Sequence, residues 1–270
     1  MEQSRLLTGA DAWSLHAAPE LGLRRIVVSD GPAGVRGETW DERSPSANVP
    51  SPTALAASWD VARVERLGRL LAYECRRKGV DVLLAPTVNL HRTPFGGRHF
   101  ECFSEDPYLT GAIGAAFVRG LQAEGVAATV KHFVANDSET ERFTLDAIVD
   151  ERVLRELYLL PFELIVAEGP WAVMSSYNAV NGFTMSESPL VQSVLRDEWG
   201  FDGLVMSDWG AARSANADVD LAMPGPNSAL APDAAGVETR LARILQLAER
   251  VGARDATAGG PPAATTASPP

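Results

Sequence analysis

Gly203-Leu-Val-Met-Ser-Asp-Trp-Gly210 is the stretch of this 270-residue sequence that decides the fold. Within it, four apolar or small residues, Leu204 to Ser207, run into an acid, Asp208, and an aromatic residue, Trp209. A short, partly β-branched run between two glycines predicts a buried strand of a parallel sheet. An acid at the carboxyl end of such a strand lies where α/β barrels hold their chemistry. We therefore predict that Asp208 is a catalytic nucleophile.

Strand-like runs alternate with amphipathic helices after a polar entry segment that we expect over residues 1–25. Strands are predicted over residues 25–30, 80–86, 126–133, 145–149, 171–177, 204–207 and 219–224. Helices are predicted over residues 60–78, 107–124, 151–168, 188–199 and 237–251. This alternation predicts an α/β fold with a parallel sheet, either doubly wound or closed into a barrel. Because no glycine-rich phosphate fingerprint follows the first strand, we favour a TIM-like (β/α)8 barrel.

The barrel is expected to be incomplete or distorted toward its C-terminal end. Parallel strands need a crossover of roughly a dozen or more residues, usually with a helix. Residues 210–218 offer only nine residues between two predicted strands, and residues 225–236 have little helical pattern. Residues 254–270 are rich in Pro, Ala and Thr and cannot bury a core. We therefore expect a barrel domain over residues 1–253 and a disordered tail over residues 254–270.

Composition and charge exclude several classes of protein. A net charge of −11 without a basic run argues against nucleic acid and anionic membranes as partners. No apolar stretch reaches transmembrane length, and the first residues lack the basic start and apolar centre of a signal peptide. Cys75 and Cys102 form neither a disulfide framework nor a metal motif, and His91 and His99 add no metal-ligand spacing. We expect a cytoplasmic protein with no metal and no cofactor.

Charged and hydrogen-bonding side chains follow consecutive predicted strands. They are Asp30, Lys131, His132, Tyr177 and Asp208 at strand ends, with Arg98 and Arg142 in the loops between. Except for Asp208, any one of them alone is more typical of a cap, a turn, a packing contact or a surface ion pair. Cations near Asp208 would hold a nucleophilic carboxylate ionised, and paired donors and acceptors suit the hydroxyls of a sugar. Together, at one edge of a sheet, these side chains predict a sugar-binding site.

Five motifs follow one another in a fixed order over about residues 5–226. They are Ser29-Asp-Gly-Pro-Ala-Gly34, Gly96-Gly-Arg-His-Phe-Glu-Cys-Phe-Ser-Glu-Asp-Pro107, Lys131-His-Phe-Val-Ala-Asn136, Met174-Ser-Ser-Tyr-Asn178 and the stretch quoted first. Together they resemble the N-terminal barrel domain of glycoside hydrolase family 3, and more narrowly its bacterial β-glucosidases. The resemblance implies a retaining mechanism with a covalent glycosyl intermediate on Asp208. It also implies a glycone subsite formed by Asp30, which holds distal sugar hydroxyls, and by Arg98, Lys131, His132, Arg142 and Tyr177, with Glu101 and Trp209 nearby.

Retaining hydrolysis also needs a general acid/base about 5–5.5 Å from the nucleophile. In two-domain members of the family this is a Glu from a following α/β sandwich domain, which would then be a missing partner of this chain. Single-domain members that cleave N-acetylglucosaminides use a His-Asp dyad in a Pro-Gly-His-Gly pattern, where this sequence has Val134-Ala-Asn-Asp137. The remaining stand-ins in this sequence are Glu101, Asp137, Glu139 and Glu141.

Two functions remain open at this point. The first is a retaining β-glycosidase, similar to β-glucosidases, that hydrolyses terminal non-reducing β-D-glycosyl residues of small β-glucosides or oligosaccharides. The second is a truncated sugar-binding domain with little or no turnover. Glucose, xylose and arabinose are all open as the preferred sugar.

Overall fold

A curled six-stranded sheet is the centre of the computed structural model, which describes residues 3–226, 230 and 232–255. In that part of the chain the strands are β1 Ser14–Leu15, β2 Ile26–Ser29, β3 Val82–Leu83, β4 Ala127–Phe133, β5 Asp146–Ala147, β6 Ala172–Ser175, β7 Ala179–Val180, β8 Phe183–Thr184 and β9 Leu204–Ser207. The sheet has the order β1-β2-β3-β4-β6-β9, and only β1 pairs antiparallel with its neighbour. A smaller sheet contains β5, β7 and β8.

Short bridged segments join the two edges of the six-stranded sheet. Met206 in β9 pairs in parallel with Leu221, and Ala222 pairs in parallel with Thr8. The residue after Thr8 then pairs with β1. These single bridges close the sheet into a barrel whose last members are reduced to one or two residues. The prediction of a TIM-like barrel that is distorted toward its C-terminal end is thereby confirmed.

Helices cover the outside of the sheet and connect its strands. They are α1 Pro52–Ala57, α2 Val61–Arg77, α3 Pro107–Gln122, α4 Glu151–Val153, α5 Leu160–Val166 and α6 Ala234–Arg250, with π-helical turns over Leu154–Leu159 and Val191–Glu198. Aspartate side chains cap several helix starts by accepting a hydrogen bond from the backbone three residues on. These caps are Asp60, Asp106, Asp150 and Asp233. No helix in the described ranges is both long and apolar enough to cross a membrane.

Strand β9 is buried on both of its faces. Val205 belongs to the core cluster that includes α2 and α3, whereas Leu204 and Met206 belong to the cluster that includes α6. Successive strand residues point to opposite faces, so the continuous apolar run has apolar neighbours on both sides. This packing fixes the position at which the strand ends and the chain turns into Asp208.

Several elements differ from the sequence-based expectations. The predicted strand 145–149 shortens to β5, which pairs with β7 outside the barrel. The predicted strand 219–224 is reduced to the bridges at Leu221 and Ala222. The expected polar entry segment contains β1 and buries Leu6 and Leu7, because isolated leucines join the core through distant contacts that no local period reveals. Arg254 still pairs with Leu23, and the rest of the predicted tail, residues 256–270, lies outside the described residues.

Candidate active site

A cavity of about 210 Å³ lies at the carboxyl ends of the barrel strands. Asp30 follows β2, Lys131 and His132 lie in the last half of β4, and Asp208 follows β9. The cavity is smaller than the roughly 300–1,000 Å³ typical of drug-sized ligands. Its size suits one sugar ring, and its location is the edge where α/β barrels hold their active sites.

Eight of the nine predicted site residues line this one cavity. They are Asp30, Arg98, Lys131, His132, Arg142, Tyr177, Asp208 and Trp209. The ninth, Glu101, lies behind Arg98 and is bonded to it. The cavity is completed by Trp13, Leu84 and Met174, which the sequence reasoning missed. Leu84 and Met174 lie at strand ends and could have been found there, but Trp13 is in a segment without a strand pattern.

The carboxylate of Asp208 is buried, and only one of its two oxygens has a hydrogen-bond partner among the described residues. Its Oδ1 atom accepts a hydrogen bond of 2.8 Å from the backbone N–H of Trp209. Its Oδ2 atom has no hydrogen-bond partner among the described residues. Burial raises the pKa of Asp208 above its ordinary value, and the positive charge of Lys131 offsets part of that rise. An unpartnered oxygen of a buried carboxylate is a group available to a ligand.

Asn89 fixes the orientation of His132. The Asn89 Oδ1 atom accepts from the backbone N–H of His132 at 3.0 Å and lies 3.1 Å from its Nδ1 atom. This network assigns the imidazole proton to Nδ1 and leaves a lone pair on Nε2. Burial, with the nearby charges of Arg98 and Lys131, lowers the pKa of His132 well below its ordinary value. The ring is therefore neutral and presents a hydrogen-bond acceptor.

Both Lys131 and His132 reach the cavity although neighbouring strand residues normally point apart. The pairing register between β4 and β6 shifts between Val130 and Phe133. Such an irregularity re-aims side chains at the end of a strand. The sequence Lys131-His132 thereby supplies a cation and a neutral acceptor to the same cavity.

Acidic partners hold two cations of the cavity, buried Lys131 and partly exposed Arg98. Glu101 accepts two hydrogen bonds from Arg98, at 2.6 and 3.1 Å. The Nζ atom of Lys131 lies 3.6 Å from Asp30 and 4.0 Å from Glu101. Burial alone would raise the pKa of Glu101, but Arg98 and Lys131 outweigh it and the net pKa is lowered. Glu101 is therefore an ionised support for the cations.

Tyr177 and Arg142 form another part of the cavity lining, with an aromatic neighbour, Phe143. The Tyr177 hydroxyl donates to the backbone carbonyl of Trp209 at 2.9 Å. The rings of Tyr177 and Phe143 are 4.6 Å apart, and the Arg142 guanidinium lies 4.9 Å from the Tyr177 ring centre. Burial raises the pKa of Tyr177, followed by the charge of Asp208. The phenol thus keeps its proton and is a donor at neutral pH.

Two tryptophans from distant parts of the chain form a further part of the cavity lining. The ring centres of Trp13 and Trp209 are 5.4 Å apart, and the Trp209 indole donates to the carbonyl of Ala12 at 3.0 Å. The guanidinium carbon of Arg36 lies 3.5 Å from the Trp13 ring centre. This stack links the turn after β9 to the N-terminal part of the barrel and fixes the indole that follows the proposed nucleophile.

None of the four acids considered as stand-ins for the general acid/base lines the cavity with Asp208, within the residues described. Glu101 and Glu139 are each paired with an arginine. Asp137 lines a separate cavity, where burial raises its pKa to about 6, and Glu141 is exposed. In the described ranges the cavity contains only two carboxylates, those of Asp30 and Asp208.

The described part of the chain offers no cluster of three or more His, Cys, Asp or Glu side chains that could hold a metal ion. His91 and His99 pack ring against ring, with centres 4.6 Å apart. Cys75 and Cys102 are free and buried, and burial raises the pKa of each thiol to about 12. These groups have packing contacts and do not form a second reactive centre.

The fold and the cavity define a barrel domain of the glycosidase type, with a buried carboxylate in a site the size of a sugar ring. The chain belongs to glycosyl hydrolase family 3: the pattern of that family's N-terminal domain matches residues 17–242.

Known relatives agree with this assignment. A β-glucosidase of Rhizobium radiobacter is 51% identical over 93% of this chain and 33% of its own length. The crystal structure of a β-glucosidase from Kluyveromyces marxianus superimposes with a TM-score of 0.88 at 40% identity, over 93% of this chain and 33% of that one. A β-glucosidase from Kluyveromyces marxianus in complex with glucose gives a TM-score of 0.86 at 40% identity, over 93% of this chain and 34% of that one. This chain spans about a third of the length of these relatives.

Proposed function

We propose that this chain is the glycone-binding, nucleophile-bearing domain of a retaining β-glycosidase that acts on β-glucosides. The observation that carries the proposal is the unpartnered Oδ2 of buried Asp208, which faces a sugar-sized cavity lined with donors and acceptors. Relatives named β-glucosidase, one of them solved with glucose, support glucose as the sugar. We call this cavity the glycone cavity from here on.

In the first chemical step, Oδ2 of Asp208 attacks the anomeric carbon, C1, of the bound sugar. A lone pair of Oδ2 forms the C1–O bond while the bond from C1 to the leaving oxygen breaks, and its electron pair goes to that oxygen. In the second step a water oxygen attacks C1 and loses a proton to the general base or to solvent, while the bond from C1 to Oδ2 breaks, its electron pair returns to Oδ2 and the carboxylate is restored. A phenolate can leave unprotonated, whereas an alkoxide needs a proton from a general acid.

The other residues of the glycone cavity would bind and orient the sugar. Asp30 and Lys131 bind hydroxyls remote from C1, and Nε2 of His132 accepts from a hydroxyl nearer to it. Arg98, Arg142 and Tyr177 add donors, Glu101 holds Arg98 and Lys131 in place, and Trp209 packs against the ring. Charge-assisted hydrogen bonds of this kind are roughly twice as strong as neutral ones.

We place the general acid/base outside the described part of this chain. Glu101 and Glu139 are each paired with an arginine, and Asp137 lines a different cavity. None of these three acids therefore suits that role. Since the chain spans about a third of its relatives, an α/β sandwich domain such as the family's two-domain members have is the partner we propose. The alternative is a sugar-binding domain with little or no turnover, favoured by the same missing acid.

Two further expectations stay proposals. The barrel domain ends at about residue 253, which is supported by the hydrogen bond of 2.9 Å between the Arg24 N–H and the Ala253 carbonyl. A cytoplasmic location is supported by the free thiols of Cys75 and Cys102, which are typical of reducing compartments.

The test compares two substrates that differ in the proton their leaving group needs. We expect the chain to release dinitrophenolate from 2,4-dinitrophenyl β-D-glucoside and to leave cellobiose intact, because only cellobiose needs the acid. Cleavage of both would place a working acid within this chain. Glucose binding without release of the phenolate would support the sugar-binding alternative.

The matched variant is Asp208→Asn, which keeps the size and shape of the side chain. It should lower phenolate release by roughly 10⁴-fold or more, as removal of a nucleophile does in other covalent mechanisms. Its circular dichroism spectrum should be that of the wild type. An Asp208→Asn protein with wild-type activity would remove Asp208 from the role of nucleophile.

A further inference from the structure

The carboxamide of Asn89 pairs with the backbone of His132 as a neighbouring strand would. Its Oδ1 atom accepts from the N–H of His132 at 3.0 Å, and its Nδ2 atom donates to the carbonyl of the same residue at 3.0 Å. These two bonds fall where the pairing register between β4 and β6 is irregular. A backbone N–H only donates and a backbone carbonyl only accepts, so the orientation of the carboxamide is settled by its partners.

The same oxygen of Asn89 also holds the His132 ring. Oδ1 lies 3.1 Å from Nδ1 of the imidazole. Because a carboxamide oxygen only accepts, the ring proton belongs on Nδ1 and the lone pair on Nε2. Asn89 and His132 are 4% and 1% exposed, so bulk water does not compete for this contact.

Hydrogen bonds of the two neighbouring residues anchor Asn89. The Val88 N–H donates to the carbonyl of Lys131 at 2.7 Å, and the Leu90 N–H donates to Oδ1 of Asp137 at 2.5 Å. Asn89 is thus fixed on both sides to the segment that carries His132. The contact between the amide oxygen and the ring is therefore set before any ligand binds.

Charged groups face the ring from the glycone cavity. The titratable groups that line this cavity with His132 are Asp30, Arg98, Lys131, Arg142, Tyr177 and Asp208. The three cations among them oppose a positive charge on the ring, whereas Asp208, whose Oδ2 lies 3.6 Å from Nε2, favours one. The uncharged amide of Asn89 leaves this balance on the neutral side. A carboxylate in its place would stabilise an imidazolium.

We infer that Asn89 is a positioning residue for the proposed reaction, which keeps the His132 ring neutral with its proton on Nδ1 and so leaves Oδ2 of Asp208 free to attack C1. The inference rests on the proposed function, since Asp208 has to be the nucleophile. A proton on Nε2, in an imidazolium or in the other neutral tautomer, would be donated to Oδ2 and would occupy the lone pair that attacks C1. The amide at residue 89 thus determines whether the nucleophile is free.

Nitrogen-15 NMR of the histidine rings tests the tautomer directly on the full 270-residue chain. The sequence has four histidines, and His132→Gln identifies the signals of His132 by their disappearance. We expect a neutral ring with the proton on Nδ1 at neutral pH. A proton on Nε2 would overturn the inference, whether or not the chain turns over a glucoside.

Asn89→Asp keeps the shape of the side chain and adds a negative charge. It should convert His132 to an imidazolium at neutral pH. Phenolate release from 2,4-dinitrophenyl β-D-glucoside should then fall at least about tenfold, because an opposite charge within about 4–6 Å lowers the pKa of a carboxylate by about one to three units. Activity should recover as pH rises through the raised pKa of His132, since the ring then loses its proton. An equal loss at every pH would show a structural defect and overturn the inference.

Asn89→Ala removes the acceptor without adding a charge. The proton should move to Nε2, where Oδ2 of Asp208 can accept it, and the resulting loss of phenolate release should not recover at high pH. Asn178→Asp is the matched control, because Asn178 is 0% exposed and its amide bonds the carbonyls of Val134 and Ala179. Its His132 ring should keep the wild-type tautomer. An imidazolium in this control would mean that the contact with Asn89 is not decisive.

A chain that releases no phenolate would count against the proposed function alone, and carbon-13 NMR of the Asp208 carboxyl then replaces the kinetics. Burial raises the pKa of Asp208 in the wild type. The imidazolium in Asn89→Asp should lower that pKa, whereas an added carboxylate behind a ring that stayed neutral would raise it further. A higher pKa of Asp208 in Asn89→Asp than in the wild type would overturn the inference.

Discussion

The Nε2 atom of His132 lies 3.6 Å from the Oδ2 atom of Asp208, with a neutral imidazole facing a carboxylate. Because the lone pair of Nε2 and an oxygen of Asp208 face each other, the pair is not an ion pair. A group with a hydroxyl proton fits between or beside two acceptors of this kind. The contact therefore favours a hydroxylated ligand at the nucleophile end of the glycone cavity.

The acid limb of the pH profile should reflect Asp208. Burial raises its pKa above 3.8, so the nucleophile becomes protonated, and phenolate release is lost, as pH falls through that raised value. Removing the positive charge in Lys131→Gln should raise the pKa further and move the acid limb to higher pH. The measurement is kcat/KM for an aryl glucoside as a function of pH.

Lys78→Gln is the control for charge removal, since Lys78 is the only other lysine in the chain and lies outside the glycone cavity. Its acid limb should coincide with that of the wild type. A limb that stays in place in Lys131→Gln would show that Lys131 does not act on the nucleophile.

Asp30→Ala should weaken glucose binding without removing the nucleophile. A hydrogen bond from a sugar hydroxyl to a carboxylate contributes about 1.5–3 kcal/mol, so the affinity should fall roughly 10- to 100-fold. Calorimetric titration with glucose measures the change. Asp41→Ala is the control, because Asp41 is on the loop after β2 but outside the glycone cavity, and it should keep the wild-type affinity. Unchanged affinity in Asp30→Ala would show that Asp30 does not bind the sugar.

Phe143→Ala should disturb the part of the cavity lining formed by Tyr177 and Arg142. The Phe143 ring packs 4.6 Å from the Tyr177 ring, and the guanidinium carbon of Arg142 lies 5.1 Å from its centre. Loss of this support should lower kcat/KM about tenfold, chiefly by raising KM. A misplaced binding group can lower the catalytic efficiency by roughly 10–100-fold. Phe183→Ala is the matched control, because the rings of Phe183 and Phe143 are both about half exposed. Equal kinetics in the two variants would contradict a role of Phe143 in positioning Tyr177 and Arg142.

Asp220→Ala should destabilise the barrel severely. Asp220 pairs with Arg196 and Arg243, each at 2.7 Å, and its Oδ2 atom also accepts from the backbone of Val205 in β9. Burial lowers the pKa of Arg196, and removing Asp220 leaves that buried cation unpaired, which costs about 3–5 kcal/mol.

Urea denaturation of Asp220→Ala gives the free energy of unfolding. Asp218→Ala is the control, because its half-exposed carboxylate lies 3.8 Å from Arg240 and should contribute at most about 1 kcal/mol. A loss in Asp220→Ala that is no larger than in the control would mean that the ion cluster does not stabilise β9.

Sequence reasoning found most of the side chains that line the glycone cavity, because strand ends have a local signature. The apolar run before Asp208, and those before Asp30 and Tyr177, each end in a polar residue, and parallel strands bring such ends together. Trp13 had no comparable signal. It enters the cavity through a stack on Trp209, 196 positions later, and such pairing depends on tertiary packing alone.

The main helices and strands of the fold were likewise predictable, because they too have local sequence patterns. The apolar period indicated the helices, and continuous apolar runs indicated the main strands, which are buried on both faces. The closing bridges at Thr8 and Ala222 involve single residues, too few for any periodic pattern. The π-helical turns over Leu154–Leu159 and Val191–Glu198 share the apolar period of ordinary helices, so sequence alone does not distinguish them.

The bridge between Thr8 and Ala222 has a consequence for how this protein is made. At synthesis rates of 5–20 residues per second, Thr8 waits roughly 10–40 s on the ribosome before Ala222 is added. Until then the sheet is unfinished, and its open edges are prone to pair with other chains. Closure of the barrel is therefore a late event in synthesis, because it waits for two bridged residues that are far apart in the sequence.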